Sequence, residues 1–243
     1  MMEPMTDLIN VMSTLVDNKG KILIPGIYDQ VRPITPEEEA LYAGISFTMQ
    51  DLWDGVGAKV NIFPDAQSTL MARWRNPSLS LHGIEGAFSE PGPKTVIPAK
   101  VMGKFSIRTV PDMDLIEVDR VVKQHVDWEF AKLGSKNKLR FQLLNEAGKW
   151  WVASPDHWNF RAASKAAENV WGIKPDMTRE GGSIPVTLTF EQELGKNVLL
   201  LPMGSSTDAA HSVNEKLDKK NYIQGTKLLG AYLHYVAEEP MTE

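Results

Sequence analysis

The run Val198-Leu199-Leu200-Leu201 limits what this chain can fold into more than any other feature. Four consecutive apolar residues leave no face for water, so an extended segment of this kind belongs in a parallel sheet covered on both sides. One such strand cannot make a sheet alone. The strictest strand pattern elsewhere is of the other kind. Across residues 99–108, Val101, Gly103, Phe105 and Ile107 face one way, while Lys100, Met102, Lys104, Ser106 and Arg108 face the other. That alternation marks a strand with one core face and one largely polar face. The last helical stretch, with Tyr222, Ile223, Leu229, Tyr232, Leu233 and Val236 on its apolar side, also asks for a partner.

The rest of the chain reads as helices and short strands. Met5, Leu8, Ile9, Met12, Leu15 and Val16 recur at helical spacing from almost the first residue, with Gly20 as the stop. A connector from Lys21 to Pro33 turns at Pro25-Gly26. Thr35-Pro36-Glu37-Glu38 reads as an N-cap, a proline at the first helical position and an acidic first turn. Further short helices are expected from Thr48 to Gly55 or Gly57 and over 66–75. Leu79, Leu81 and Ile84 predict a strand entering a glycine-rich loop, Gly83 to Gly92. Leu115, Val118, Val122 and Val126 mark a long helix ending at Gly134, and Leu139, Phe141 and Leu143 another strand. A helix capped by Ser154-Pro155 should run to Trp171 and stop at Gly172, and another should follow Ser183 as far as Gly195. Up to about residue 180 this is an α+β arrangement with an antiparallel sheet and flanking helices. The last 65 or so residues have the character of α/β structure.

Composition narrows the function. Of 243 residues, 26 are Lys or Arg and 31 Asp or Glu, so a net charge of -5 gives nucleic acid no electrostatic reason to bind. The chain has no cysteine, which excludes disulfides, thiolate metal sites and cysteine nucleophiles. No apolar run approaches the roughly 20 residues of a membrane helix, and the first residues lack signal-peptide character. The expected setting is the cytoplasm, with no membrane partner.

Three places invite chemistry. His211 closes the string Gly204-Ser205-Ser206-Thr207-Asp208-Ala209-Ala210-His211 directly after the apolar run, where α/β proteins place their sites. It is either a metal ligand facing a cavity or a surface loop histidine. A serine triad is rejected, because triad members come from separate segments and no Gly-x-Ser-x-Gly occurs. Arg179-Glu180-Gly181-Gly182-Ser183-Ile184-Pro185 opens a helix whose N-terminus suits a carboxylate or phosphate, or it is simply a capped helix after a tight loop. Arg108 ends the polar strand face that follows Lys94-Thr95, and it either forks onto a substrate carboxylate or belongs to a solvated face. Gly86 to Thr95 is discarded as a phosphate loop, since five residues separate its glycines and Pro93 interrupts it. His125-Val126-Asp127 is discarded as a metal pair, because residues two apart on a helix diverge. His82, His157 and His234 have no acidic residues arranged around them for a site.

Four strings carry a resemblance: residues Pro77 to Phe88, Lys94-Thr95-Val96-Ile97-Pro98, Thr178 to Thr187, and Ala210-His211-Ser212-Val213-Asn214-Glu215. In order along the chain they closely resemble the C-terminal half of the cytosolic non-specific dipeptidase and carnosine dipeptidase group of the M20 metallopeptidases. The resemblance implies a lid and dimerisation domain over residues 1–181 and a returning segment of the α/β catalytic domain over 182–243. It implies two divalent ions, zinc or manganese, activating a water toward a dipeptide, and a homodimer formed through the lid. By the same resemblance His211 is the last metal ligand, Ser183 and Arg108 hold the dipeptide's C-terminal end, and Thr95 reaches across the dimer. The other implied ligands, the general base and the lid histidine would precede Met1. The expectation is therefore a chain that is inert alone, either one part of a dipeptidase or a dimerising, binding module.

Overall fold

The structure is a computed structural model that describes residues 2–144, 148–180 and 184–240. Ten elements follow one another: α1 (Pro4–Met12), α2 (Pro36–Gly44), α3 (Met49–Val56), α4 (Ala66–Trp74), β1 (Ser78–Glu85), β2 (Met102–Arg108), α5 (Leu115–Lys132), α6 (Trp158–Trp171), α7 (Pro185–Leu194) and α8 (Lys219–Glu238). The chain divides into two compact units. One comprises Met1–Pro33 and Met71–Trp150, the other Ile34–Leu70 and Trp151–Glu243. No helix among the described residues is long and apolar enough to cross a membrane.

In the first unit β1 and β2 pair antiparallel, Ser78 opposite Arg108 and Glu85 opposite Met102, with an irregularity between Leu81 and Gly83. The alternation expected for 99–108 holds, since Phe105 and Ile107 pack on the core while Met102, Ser106 and Arg108 stay exposed. Gly103 belongs to the same inner face, and a Cβ there would lie 2.3 Å from Met12 Sδ, so the missing side chain lets α1 approach the sheet. Val118, Val121, Val122 and Val126 of α5 complete the core with Val11, Met12, Leu15 and Ile22. Asp114 caps α5 by accepting from the Ile116 amide at 2.9 Å. His125, on the buried face of α5, meets both the Thr14 hydroxyl and the Thr14 carbonyl through Nε2, at 3.0 and 3.1 Å. It is a satisfied core histidine.

Two expectations fail in this unit for identifiable reasons. The first helix stops at Met12, four residues before the apolar stripe does, because the chain turns at Asp17 to Gly20. The Asp17 carboxylate accepts from the Lys19 and Lys21 amides, and an isolated bridge joins Val16 to Ile22. Leu15 is still buried, but from a turn and not from a helix. Leu139 and Phe141 bury alternately against the core, yet residues 139–143 join no strand ladder. A period of two is satisfied here by contact alone.

The second unit rests on α6 and α8. Asn159, Ala162, Ala163, Ala166 and Ala167 form one face of α6, at the spacing of a single helical stripe. Against it α8 places Leu228, with Ala231, Tyr232 and Tyr235 around it. Small side chains on α6 let the two backbones come close. The apolar side expected for α8 is therefore only partly its buried side. Tyr232 and Val236 are half-buried, whereas Tyr222, Ile223, Leu229 and Leu233 remain exposed. The helix α6 begins at Trp158 under a His157 cap, Nδ1 accepting from the Asn159 amide, because Ser154 and Pro155 form a separate turn before it. The cap expected at Thr35 is present, and the helix expected to begin near Thr48 starts there under a reciprocal capping box between Thr48 and Asp51. Residues 198–201 are half-buried and form no regular secondary structure, with no ladder partner among the described residues, although Leu201 packs on the α6–α8 pair. At the C-terminal cap of α8, Glu239 is buried between Lys165 and Arg161.

Two measurements check this packing. Gly86 has φ of 83°, and a Cβ there would meet the Lys100 carbonyl oxygen at 2.4 Å. Gly86→Ala should destabilise by about 2–4 kcal/mol, combining left-handed strain with a backbone clash; an unshifted urea midpoint would contradict the close approach. Lys165 foremost, helped by Arg161, holds the Glu239 carboxyl below its ordinary 4.5. A depressed folded-state pKa gives stability that is full above the unfolded value and lost as pH falls through the folded one. The difference in melting temperature between the native chain and Glu239→Gln should thus be largest at neutral pH and shrink as pH drops below 4.5; a constant difference over that range would refute the ion-pair assignment.

Candidate functional site

The second unit carries His211 on the loop that joins the apolar segment 198–201 to α8. Both ends of that loop are anchored. A Cβ at Gly225 of α8 would lie 2.5 Å from Met203 Sδ, so glycine makes room for Met203 against the helix. The Asn221 side-chain amide donates to the Met203 carbonyl at 2.9 Å. Between these anchors Ala209, His211 and Asn214 all adopt positive φ, at 55°, 62° and 63°. Left-handed backbone costs a residue with a Cβ on the order of 1–2 kcal/mol, with asparagine and histidine the more tolerant of it, so at Ala209 above all the loop geometry is held by contacts and not by local preference.

Those contacts converge on Asp208. Its carboxylate accepts from the Ser205 amide at 2.7 Å and from Lys216 Nζ at 3.1 Å. Lys216 Nζ also reaches Asp218 at 3.0 Å and the Thr207 hydroxyl at 3.2 Å. The Lys216 amide closes back onto the Asp208 carbonyl at 3.0 Å, and the Ser212 amide bonds the Ala209 carbonyl. The Ser205 amide, then Lys216, holds the Asp208 carboxyl below its usual range, and Asp218 with Asp208 raises Lys216. His211 itself is exposed at the turn of this loop.

The other expected site residues fall elsewhere. Thr95 and Arg108 lie in the first unit, both exposed. Thr95 sits on the long loop between β1 and β2, where Lys94 Nζ stands 5.5 Å from the Phe88 ring centroid. That loop leaves the hairpin at Met102, whereas Arg108 is at the far end of β2, roughly 20 Å along the strand. Arg108 has Ser78 opposite it and makes no ion pair among the described residues, which leaves its guanidinium available to a carboxylate. Ser183, with Gly181 and Gly182, lies outside the described residues. The helix after it starts at Pro185 with Ile184 in the cap position and no side-chain cap bond from Ile184, and the capping role expected of Ser183 falls outside the described residues. Just before it, Arg179 pairs with Glu38 at 2.6 Å.

Set against a metal centre, these residues fall short. Among the described residues no group of three His, Cys, Asp or Glu side chains gathers where it could hold an ion. The remaining histidines are engaged: His82 with Ser106 at 2.7 Å, His157 as a helix cap, and His234 with Glu238 at 3.3 Å. One exposed imidazole is not a divalent-metal site, and a dinuclear centre does not fit the described residues by themselves. The Asp208–Lys216 pairing around His211 escaped the sequence reading; the available signal was an acidic and a basic residue flanking a histidine among small side chains.

Comparison with known proteins gives this loop a context. The profile of peptidase family M20/M25/M40 matches residues 24–235. The chain is 60% identical to the Cys-Gly metallodipeptidase dug1 of Schizosaccharomyces pombe, over 97% of this chain and 49% of that protein. It is 43% identical to the human Beta-Ala-His dipeptidase, over 97% of this chain and 46% of the relative. Among solved structures it superposes on the di-peptidase Dug1p of Saccharomyces cerevisiae with a TM-score of 0.92 at 53% identity, covering 98% of this chain and 50% of that one. Human carnosine dipeptidase 1 follows the same pattern, with a TM-score of 0.88 at 42% identity, 98% of this chain and 50% of the other. The chain thus spans about half the length of the curated relatives it matches.

An exposed histidine with left-handed backbone gives little to stability. His211→Gly should leave the free energy of unfolding within about 1 kcal/mol of the native chain, because relief of the positive φ offsets the greater freedom of the unfolded chain. A loss above about 2 kcal/mol in a urea titration would mark His211 as a packing residue instead.

Proposed function

The chain belongs to peptidase family M20/M25/M40, and from that premise we propose that it forms part of a divalent-metal dipeptidase acting on dipeptides of the Cys-Gly or carnosine type. The observation that carries the reading is the agreement of almost the whole chain with two such dipeptidases in both sequence and backbone. In this reading His211 supplies a ligand to one of two divalent ions, zinc or manganese, whose other ligands come from residues outside these 243. Arg108 and Ser183 hold the carboxylate end of the dipeptide, the former by the bidentate geometry open to a guanidinium. Thr95 reaches a neighbouring subunit's site from its exposed loop, within a homodimer formed through the lid. Residues 182–243 act as a segment of the catalytic domain and the preceding part as the lid. The packing of α6 on α8 supports drawing residues 151–171 toward the catalytic side of that division. A cysteine-free composition accords with a cytoplasmic setting.

A second reading has its own support. The described residues gather no metal-holding group, which favours a chain inert by itself that keeps only the pairing and binding surfaces of the family.

Complementation separates the two. The purified chain with added manganese should not hydrolyse Cys-Gly or carnosine. Mixing it with a separately expressed N-terminal half of a Cys-Gly metallodipeptidase should restore turnover, and His211→Ala should abolish it by a factor of at least about 100. Restored dimers without turnover would favour the second reading, while stoichiometric metal and turnover in the chain alone would overturn its inertness.

A further inference from the structure

We propose that Asp208 and Lys216 are positioning residues for His211, forming a charged clasp that holds the histidine-bearing loop in its left-handed geometry.

The inference rests on reading His211 as a metal ligand, and its grounds lie in the loop itself. A ligand must be held in direction as well as in place, since its usefulness depends on preorganisation by the residues around it. Most metal-bound histidines get this from a partner on the second ring nitrogen or from packing. His211 is exposed, and its backbone sits at φ of 62° between two other residues in the same unfavoured region. Asparagine and histidine tolerate this region better than most residues, but three such residues within six positions, an alanine among them, exceed what a free loop would hold by local preference.

What prevents relaxation is a closure on both sides of the histidine. Asp208 lies three residues before it and Lys216 five residues after. The two are joined by the backbone bond from the Lys216 amide to the Asp208 carbonyl and by the ammonium–carboxylate contact at 3.1 Å. Asp208 is the better shielded partner, its side chain 14% exposed against 44% for Lys216. A cation shared between Asp208 and Asp218 ties the loop to the cap of α8. The Ser205 amide ties Asp208 to the other strand of the loop, and an added Cβ at Gly204 would stand 2.8 Å from the Asp208 carboxylate, so a side chain there would press directly on the clasp. The clasp therefore spans the histidine without touching it. It leaves the imidazole open to a ligand while removing the freedom of the backbone that carries it.

The test is amide hydrogen exchange on the metal-free 243-residue chain, comparing residues 209–214 with the α6–α8 core amides as an internal reference. Lys216→Met and Asp208→Asn should each speed exchange at 209–214 on the order of five- to tenfold, with the core unchanged. Lys216→Arg, which keeps the charge and reach, should return it to within about twofold of the native chain. Unchanged exchange at 209–214 in Lys216→Met would overturn the proposal, as would equal acceleration in Lys216→Arg. If Lys216→Met loosened the core as well, the Arg variant would decide between a charged clasp and general packing. Because no metal is present in this measurement, its failure is distinct from failure of the ligand reading, which shows instead as full complemented turnover in His211→Ala.

Discussion

The contact between α6 and α8 is what the C-terminal unit depends on. It is made by alanines on one helix and by Leu228 with its aromatic neighbours on the other, so it works through closeness more than through bulk. Two helices whose facing residues are small lie near enough for many weak dispersion contacts to accumulate. Part of the polar content of the contact is paired within it. The Tyr232 hydroxyl reaches Asn159, which in turn bonds the carbonyl of Asn197 at 3.1 Å. From this pair the chain runs into Leu201 and Met203, and from Met203 into the loop of His211. The placement of the one chemically suggestive imidazole is thus inherited from a helix pair that carries no chemistry.

Electrostatics enters on a smaller scale and in two different ways. On the outer face of α5, pairs such as Arg120–Glu117 are exposed and contribute little. At Asp208 and Glu239 the carboxylates are shielded and each meets more than one donor. The second kind fixes a conformation as well as lowering energy. In the loop it fixes three residues with positive φ; at Glu239 it fixes the end of α8 onto α6.

Much of the fold was legible because its signals are local. Thr35 and Thr48 cap helices through their own hydroxyls, Gly172 and Gly195 end helices in left-handed backbone, and Phe105 and Ile107 alternate as a half-buried strand must. What escaped depends on the partner. On α8, Leu228, Ala231, Tyr232 and Tyr235 pack on α6 and Gly225 takes Met203, whereas Tyr222, Ile223, Leu229 and Leu233 stay exposed, so much of the apolar side expected of this helix has no partner among the described residues. Leu139 and Phe141 showed a strand's period without a strand's bonds. For the site, His211 was found by its position after the apolar run. The positive φ of Ala209 could not be read, because nothing in alanine prefers it.

The hairpin of β1 and β2 leaves one more mark on what this molecule can become. Its ladder brings Glu85 beside Met102, and Gly86 lies tight against Lys100, so the ends of the intervening loop are already together before the loop itself takes any shape. Lengthening a loop whose ends are pinned costs only about 0.6 kcal/mol for each doubling. Residues 87–99, with Thr95 among them, form an exchangeable cassette on a fixed frame. Such a segment can drift in length and composition across evolution without disturbing the core beneath it, and a change in what it touches need not be a change in how the protein folds.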